Sequence, residues 1–298
     1  MVVDPGPAVR LDRPRFPWRG YGLVSPAVLL TSFVFGSSMV ILLGYSFRAF
    51  RNGTLSSGHT TATWSGFLAS SYYWHVVWTT MKLGLVTTAV TAAIGYPLAL
   101  ALHRLRTRWL RLAASFLIFM PLLTSVVVRS YGWALILGDG GLVNHLLLQL
   151  HLIHSPIRML YEFDGVTVAL VHILLPFMIF PIASVLDQLD PMLEQAAADL
   201  GAHPFTVFRR VTLPLSVQGV IAGSQLVFAL AISAFGTPSL LGGGRVQVLA
   251  TEIYTDVGSL DWPHAAVASY VLLAFALAAI AAFSFLLRLQ TGTRAVAR

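Results

Sequence analysis

The chain alternates between long apolar stretches and short segments that carry nearly all of its charge. About six of these stretches are long enough, as helices, to cross the ~30 Å hydrocarbon core of a bilayer. They run from about Val24 to Phe47, Val76 to Leu102, Leu112 to Leu137, Val166 to Leu186, Leu215 to Leu241 and Ala265 to Leu287. The pattern predicts an all-α integral membrane protein. Pro121 falls inside the third stretch, Pro176 and Pro181 inside the fourth, and Phe235-Gly236-Thr237-Pro238 predicts a break near the outer end of the fifth. Gly219 and Gly223 form a small-xxx-small pair suited to close helix packing.

The connections differ in character. Arg48 to Tyr73 reads as a polar outside loop ending in interfacial aromatics, Tyr72, Tyr73, Trp74 and Trp78. Gly138 to Phe163 reads as outside with an interfacial helix over Leu142 to Leu152, and Gly242 to Pro263 as an outside loop carrying Glu252, Asp256 and Asp261.

One connection, residues 187–214, has its own helical grammar. Asp190 is a predicted N-cap, Pro191 suits the first helical position, and Gly201 supplies a left-handed residue to end the helix. Leu193, Ala196, Ala197 and Leu200 recur at i, i+3, i+4 and i+7 as one apolar face, with Gln195 and Asp199 on another. That face is small because of its alanines, so a partner's backbone can approach closely. A second short helix is expected from Pro204, carrying Phe205 and Phe208 with Arg209 and Arg210 nearby. Pattern alone equally allows an amphipathic interfacial linker.

Composition agrees with a membrane protein: 56% of residues are hydrophobic and 10% charged, against about 25% charged in soluble domains. No cysteine is present, so disulfides and thiolate metal sites are excluded. The formal charge of +7 reads as orientation and not as nucleic-acid binding, because the arginines cluster at span ends. Arg10, Arg13, Arg15, Arg19, Arg104, Arg106, Arg108, Arg111, Arg209, Arg210, Arg288, Arg294 and Arg298 fall on one side, and Arg48, Arg51, Arg158 and Arg245 on the other. Both termini and the 187–214 loop are therefore expected in the cytoplasm. The first apolar stretch is too long for a signal-peptide core and lacks an Ala-x-Ala exit, so no cleavable signal is expected.

Little in the chain could do chemistry by itself. No phosphate-binding G-x-x-x-x-G-K-[ST] occurs, and the only lysine is Lys82, inside a span. Gly242-Gly243-Gly244-Arg245 reads as a flexible loop, and His151 and His154 lack the acidic partners of a metal motif. No apolar span carries the paired carboxylates of an intramembrane protease or a proton relay. Lys82 and Arg129 are charged within spans, which marks them as candidate substrate contacts, yet both are expected within about two turns of the outer surface, where they can also snorkel.

The stretch Glu194-Gln195-Ala196-Ala197-Ala198-Asp199-Leu200-Gly201, followed after nine residues by Val211-Thr212-Leu213-Pro214, resembles the EAA loop of ABC importer permeases. One departure is visible: the family's glutamate position holds Gln195, and Glu194 sits one residue early. Further stretches resemble the spermidine/putrescine permease group: Gly95-Tyr96-Pro97-Leu98-Ala99, Arg129-Ser130-Tyr131-Gly132-Trp133, Gly140-Gly141-Leu142-Val143-Asn144 and Thr237-Pro238-Ser239-Leu240-Leu241.

The resemblance implies a type I importer permease fold in a bacterial inner membrane. It implies a cytoplasmic tail over residues 1–20, a permease domain over 21–290 with its coupling loop at 187–214, and a second cytoplasmic tail over 291–298. A second permease subunit, related or identical, two cytoplasmic ATPase subunits that bind ATP and Mg, and an extracytoplasmic solute-binding protein are the implied partners. Glu194, Gln195, Ala196, Ala197, Asp199, Leu200, Gly201, Leu213 and Pro214 are the implied ATPase-coupling residues. Lys82, Arg129, Tyr131, Trp133, Phe235 and Thr237 are candidates for the substrate path. A polyamine is the implied cargo. The predicted spans offer aromatics but no acid, so a zwitterionic or anionic solute (an aminophosphonate, an opine, a carboxylate) or iron stays open. A secondary transporter is the competing class; it calls for a membrane-embedded acid or an inverted repeat, and neither is visible.

Overall fold

The computed structural model describes residues 18–51 and 54–295, leaving aside the side chains of 18–23, 51, 54–57 and 286–295. The side chains of Arg10, Arg13, Arg15, Arg19, Arg288, Arg294 and Arg298 lie outside the described ones. The chain divides into two units, Met1–Tyr45 and Ser46–Arg298. The first contains α1 (Trp18–Ser46). No charge interrupts it from Val24 onward, and its hydroxyls fold back onto its own carbonyls: Thr31 donates to Ala27 at 2.8 Å and Ser38 to Val34 at 2.8 Å. A helix in lipid must satisfy polar groups this way.

The second unit opens with an antiparallel pair, β1 (Arg48–Arg51) and β2 (Thr54–His59), and α2 (Ala62–Ala69). This replaces the expected irregular loop. α3 (Ser71–Arg104) starts about five residues earlier than expected and takes Tyr72, Tyr73 and Trp74 into the helix, where Tyr73 stacks on Phe67 of α2 at 4.3 Å between ring centroids.

The expected third span, Leu112 to Leu137, is not continuous. α4 (Arg108–Phe119) passes into a 3-10 turn at Met120–Leu123, the backbone extends at Thr124 and Ser125, and α5 (Val126–Leu137) restarts. Pro121, without an N–H and with a ring that crowds the preceding turn, explains the break. α6 (Leu142–Gln149) follows and stops short of the expected Leu152.

α7 (Phe163–Asp187), α8 (Pro191–Asp199) and α9 (Pro204–Val207) lead through a π turn at Phe208–Thr212 into α10 (Leu213–Ile232). The fifth span does break where expected: α10 ends, and α11 (Gly236–Leu241) follows. The expected loop from Gly242 to Pro263 instead contains α12 (Leu249–Gly258), before α13 (Trp262–Ala295). Among the described residues, six segments are long and apolar enough to cross a membrane: 24–46, 71–104, 126–149, 163–187, 204–232 and 262–285.

α3, α7 and α10 pack together as the core of this unit, and α7 is the most deeply buried span. Close approach depends on glycine. A Cβ on Gly219 would come within 2.8 Å of the Ile182 Cα, and one on Gly223 within 2.8 Å of the Met178 sulfur. Gly95 of α3 faces Met178 from the other side, where a Cβ would meet its Cγ at 2.9 Å. Met178 is thus held between two glycine-lined surfaces, which the i, i+4 glycine pair on α10 predicted on one side only. Three of the four buried threonines of α3 bond to their own helix, Thr80 to Val76 at 2.7 Å, Thr88 to Gly84 at 2.7 Å and Thr91 to Thr87 at 2.6 Å.

Candidate functional site

α8 is capped at both ends as its sequence demands. The Asp190 carboxylate accepts from the Met192 N–H at 2.9 Å. At the other end the Gly201 N–H reaches the Ala198 carbonyl at 2.8 Å and the Ala202 N–H the Ala197 carbonyl at 3.1 Å. That pair of bonds, with Gly201 at φ +81°, is a Schellman motif. The helix leaves an apolar surface open: Leu200 is 89% exposed, and Met192 and Leu193 are also exposed. Ala196 and Asp199 are exposed and Ala197 half-buried.

The opposite face of α8 turns toward its own chain. Glu194, Gln195 and Ala198 line a groove of about 270 Å³ with Arg104, Phe208 and Thr212. Gln195, at the resembled motif's glutamate position, thus shares the inner groove with Arg104, while Asp199 does not line it. The buried Thr212 hydroxyl donates to the Glu194 carboxylate at 2.6 Å. The π turn that presents Thr212 has a local cause. Pro214 has no N–H for the carbonyl four residues back, and the Leu213 N–H instead reaches the Phe208 carbonyl five residues back.

A second contact anchors the same root to α3. The Ser216 hydroxyl donates to the Leu213 carbonyl at 3.1 Å and meets the Tyr96 hydroxyl at 2.8 Å, while the Tyr96 ring lies edge-on to Phe208. Beside it, Asp187 at the end of α7 accepts from His103 of α3 at 2.7 Å and from Arg111 of α4. The α8 end of the bundle is therefore tied together by polar side chains from α3, α4, α7 and α10.

The six residues expected along a substrate path do not form one site. Lys82 lies about three turns into α3 because that helix begins at Ser71, and its ammonium sits over the Phe163 ring at 4.5 Å. Arg129 is in the first turn of α5, beside the break, and does not snorkel to an end: its guanidinium donates to the Pro121 carbonyl and, at 3.4 Å, to that of Thr124. It fills the gap that Pro121 opens. Tyr131 is 62% exposed on the outer side of α5, and Trp133 donates to His172 at 3.3 Å. Thr237 is buried. Phe235 alone borders a polar cavity, one of about 140 Å³ that Glu252, Tyr254 and Gln247 also line.

The sequence matches the model of the binding-protein-dependent transport system inner membrane component over residues 92–291. That is more than half of the chain. The chain belongs to this permease family. The spermidine/putrescine transport system permease protein PotB of Haemophilus influenzae is 36% identical over 203 residues, covering 68% of this chain and 71% of that one. The inner membrane ABC transporter permease protein YdcU of Escherichia coli is 28% identical over 246 residues, 78% of each chain. In fold, the permease superposes on a chain of a bacterial alginate ABC transporter, crystallised with its alginate-bound periplasmic protein, at a TM-score of 0.72 over 89% of this chain and 92% of that one, with 17% identity. The permease is thus a multi-pass, non-catalytic component of an inner-membrane transporter, and ATP is bound by separate ATPase subunits in this family.

Two groups of residues in the permease escaped the sequence reading. Thr212, Ser216 and Tyr96 are dispersed over more than a hundred positions and meet only at the root of α8. The sequence pattern assigns Glu252 and Tyr254 to an outside loop, whereas α12 carries them back against the break in the fifth span. The unusual density of acids and aromatics in Glu252-Ile253-Tyr254-Thr255-Asp256 was the one available signal.

Proposed function

We propose that this chain is one of the two permease subunits of an ATP-driven, binding-protein-dependent importer whose cargo is a polyamine-type cation. The observation that carries the cargo is the 36% identity to a spermidine/putrescine permease over two thirds of the chain. The exposed apolar face of α8, built on Leu193, Ala196 and Leu200 with Asp199 beside it, is the surface offered to an ATPase subunit. Glu194, Gln195, Ala197, Gly201, Leu213 and Pro214 hold that surface in place. ATP-driven closure of the ATPases pushes α8 and rocks the tied helices α3, α7 and α10 to an outward-facing path, and the solute exits inward after hydrolysis.

The arrangement of charge supports an orientation with both termini in the cytoplasm. Arg104, Arg106, Arg108, Arg111, Arg209 and Arg210 flank the α8 end, and Glu252, Asp256 and Asp261 the other. In this reading residues 1–20 and 291–298 are cytoplasmic tails, 21–290 the permease domain, and 187–214 its coupling loop. A solute-binding protein docks at the end that carries α12. The partner permease is a related chain or a second copy.

Arg129 favours a second reading. Its Nε is buried with no partner among the described residues, and a carboxylate or phosphonate could meet it, which fits import of an anion or zwitterion. The experiment is uptake and ATP hydrolysis by the complex reconstituted in lipid with its binding protein, against polyamines, aminophosphonates, opines, carboxylates and ferric ion. Stimulation by polyamines is expected; stimulation by anions alone replaces that cargo with the second reading.

A further inference from the structure

The end of the bundle opposite α8 holds a cavity that no motif predicted. Its walls come from one stretch of chain folded back on itself: the break after α10, the turn at Gly244–Gln247 and the helix α12. Thr80 of α3 fixes α12 there: its hydroxyl donates to the Val76 carbonyl at 2.7 Å and accepts from the Leu249 N–H at 2.9 Å. Phe235 and Tyr254 pair across the wall with ring centroids 4.4 Å apart. Glu252 lines the same space, as do the polar side chains of Gln247, Ser239 and Thr255.

Among the described residues, no basic side chain lines this cavity. The nearest arginine in sequence, Arg245, turns to Glu162 at 3.6 Å. The Glu252 carboxylate accepts from the Tyr72 hydroxyl at 2.9 Å, and Tyr72 also meets Gln247 at 2.8 Å. A carboxylate has about four acceptor positions, so a single tyrosine leaves Glu252 able to take further donors. A volume of about 140 Å³ has room for the end of an alkylamine.

We propose that this cavity receives the ammonium end of an alkylamine, with Glu252 as its counter-charge and the Phe235 and Tyr254 rings as its wall. The proposal rests on the polyamine reading above and supplies an acid at the end of the bundle opposite α8. A carboxylate with two aromatic rings recognises a primary ammonium through charge-assisted hydrogen bonds and cation–π contact. An anion would be repelled from the same walls.

The test is putrescine uptake by the complete reconstituted complex, with the amount of assembled complex measured for every variant. Glu252→Gln is expected to raise the half-saturating putrescine concentration about tenfold, and Tyr254→Leu by about threefold. Tyr254 is 63% exposed, so its variant keeps the test open if Glu252→Gln does not assemble. Glu252→Asp should restore part of the loss. Tyr72→Phe, which removes the hydrogen bond and keeps the charge, should stay within twofold, separating charge from scaffolding. Putrescine uptake that is normal in both Glu252→Gln and Tyr254→Leu overturns the site and leaves the polyamine reading standing. Wild-type uptake of an anion, with no uptake of putrescine, overturns both.

Discussion

Glu194 and Thr212 hold each other across the 187–214 loop: the carboxylate at the start of α8 takes the hydroxyl at the root of α10, 2.6 Å away. The two partners are unequal. Thr212 is 3% exposed, whereas Glu194 is exposed. Glu194→Ala therefore strands a buried hydroxyl, at about 1–3 kcal/mol, while Thr212→Val leaves a carboxylate that water can solvate. We expect Glu194→Ala to lower both the melting temperature and the ATP hydrolysis stimulated by binding protein, and Thr212→Val to affect the melting temperature less. Equal loss in the two variants would show that the bond is not what connects α8 to the spans.

Gly201 sits at φ +81° with open space around it. A Cβ would meet no atom there, so any cost of substitution is conformational, on the order of 1–2 kcal/mol. Gly201→Asp should leave the permease assembled in the membrane, yet separate ATP hydrolysis from uptake, because the loop that turns α8 toward its partner is distorted. Normal uptake per ATP hydrolysed in that variant would remove the coupling role from this loop.

Met178 has no room to spare between Gly95 and Gly223. Gly223→Val should push α10 off α7 and cost about 1–3 kcal/mol through overpacking. The reading is the amount of folded permease and its melting temperature in detergent. A double variant with Met178→Ala should recover part of the loss, since it vacates the space; no recovery would place the strain elsewhere.

Burial first, then the charges of Glu252 and Asp261, push the Asp256 carboxyl up to about 7, with His264 pulling the other way. Tyr73 of α3 also faces it. Because the folded state holds this proton where the unfolded chain has lost it, Asp256 makes stability fall as pH rises from about 4 to about 7, and the loss is complete above that. The group is partly exposed, so the effect is about 1 kcal/mol after solvent screening. Melting temperatures of Asp256→Asn measured from pH 5 to pH 8 should lack this slope and exceed the wild type at pH 8. An unchanged slope would assign the pH dependence to another group.

Much of the 187–214 loop was legible because its signals are local. Asp190, Pro191 and Gly201 each act within one turn, and each behaves in the structure as its chemistry requires. The break at Phe235 was legible for the same reason. Pro121 was seen, but reading its span as continuous missed that the freed carbonyls need a donor, and that Arg129 is the donor. The site residues were harder, because Gln195 and Glu194 look interchangeable in sequence while only Glu194 meets Thr212.

By itself, the sequence determined that this is a helical membrane protein, which family it belongs to, and where its loop helix starts and stops. Apolar run length, proline, glycine and capping residues act over a few positions, and the bilayer requires every exposed backbone group to be satisfied within its own helix. Tertiary structure alone decided which separated side chains share a space: Thr212 with Glu194, Tyr96 with Ser216, and Phe235 with Glu252 and Tyr254 of α12. Those meetings depend on how far each helix extends and how it is rotated against its neighbours. Glycine contacts such as those around Met178 set that rotation, and no local rule along the chain encodes it.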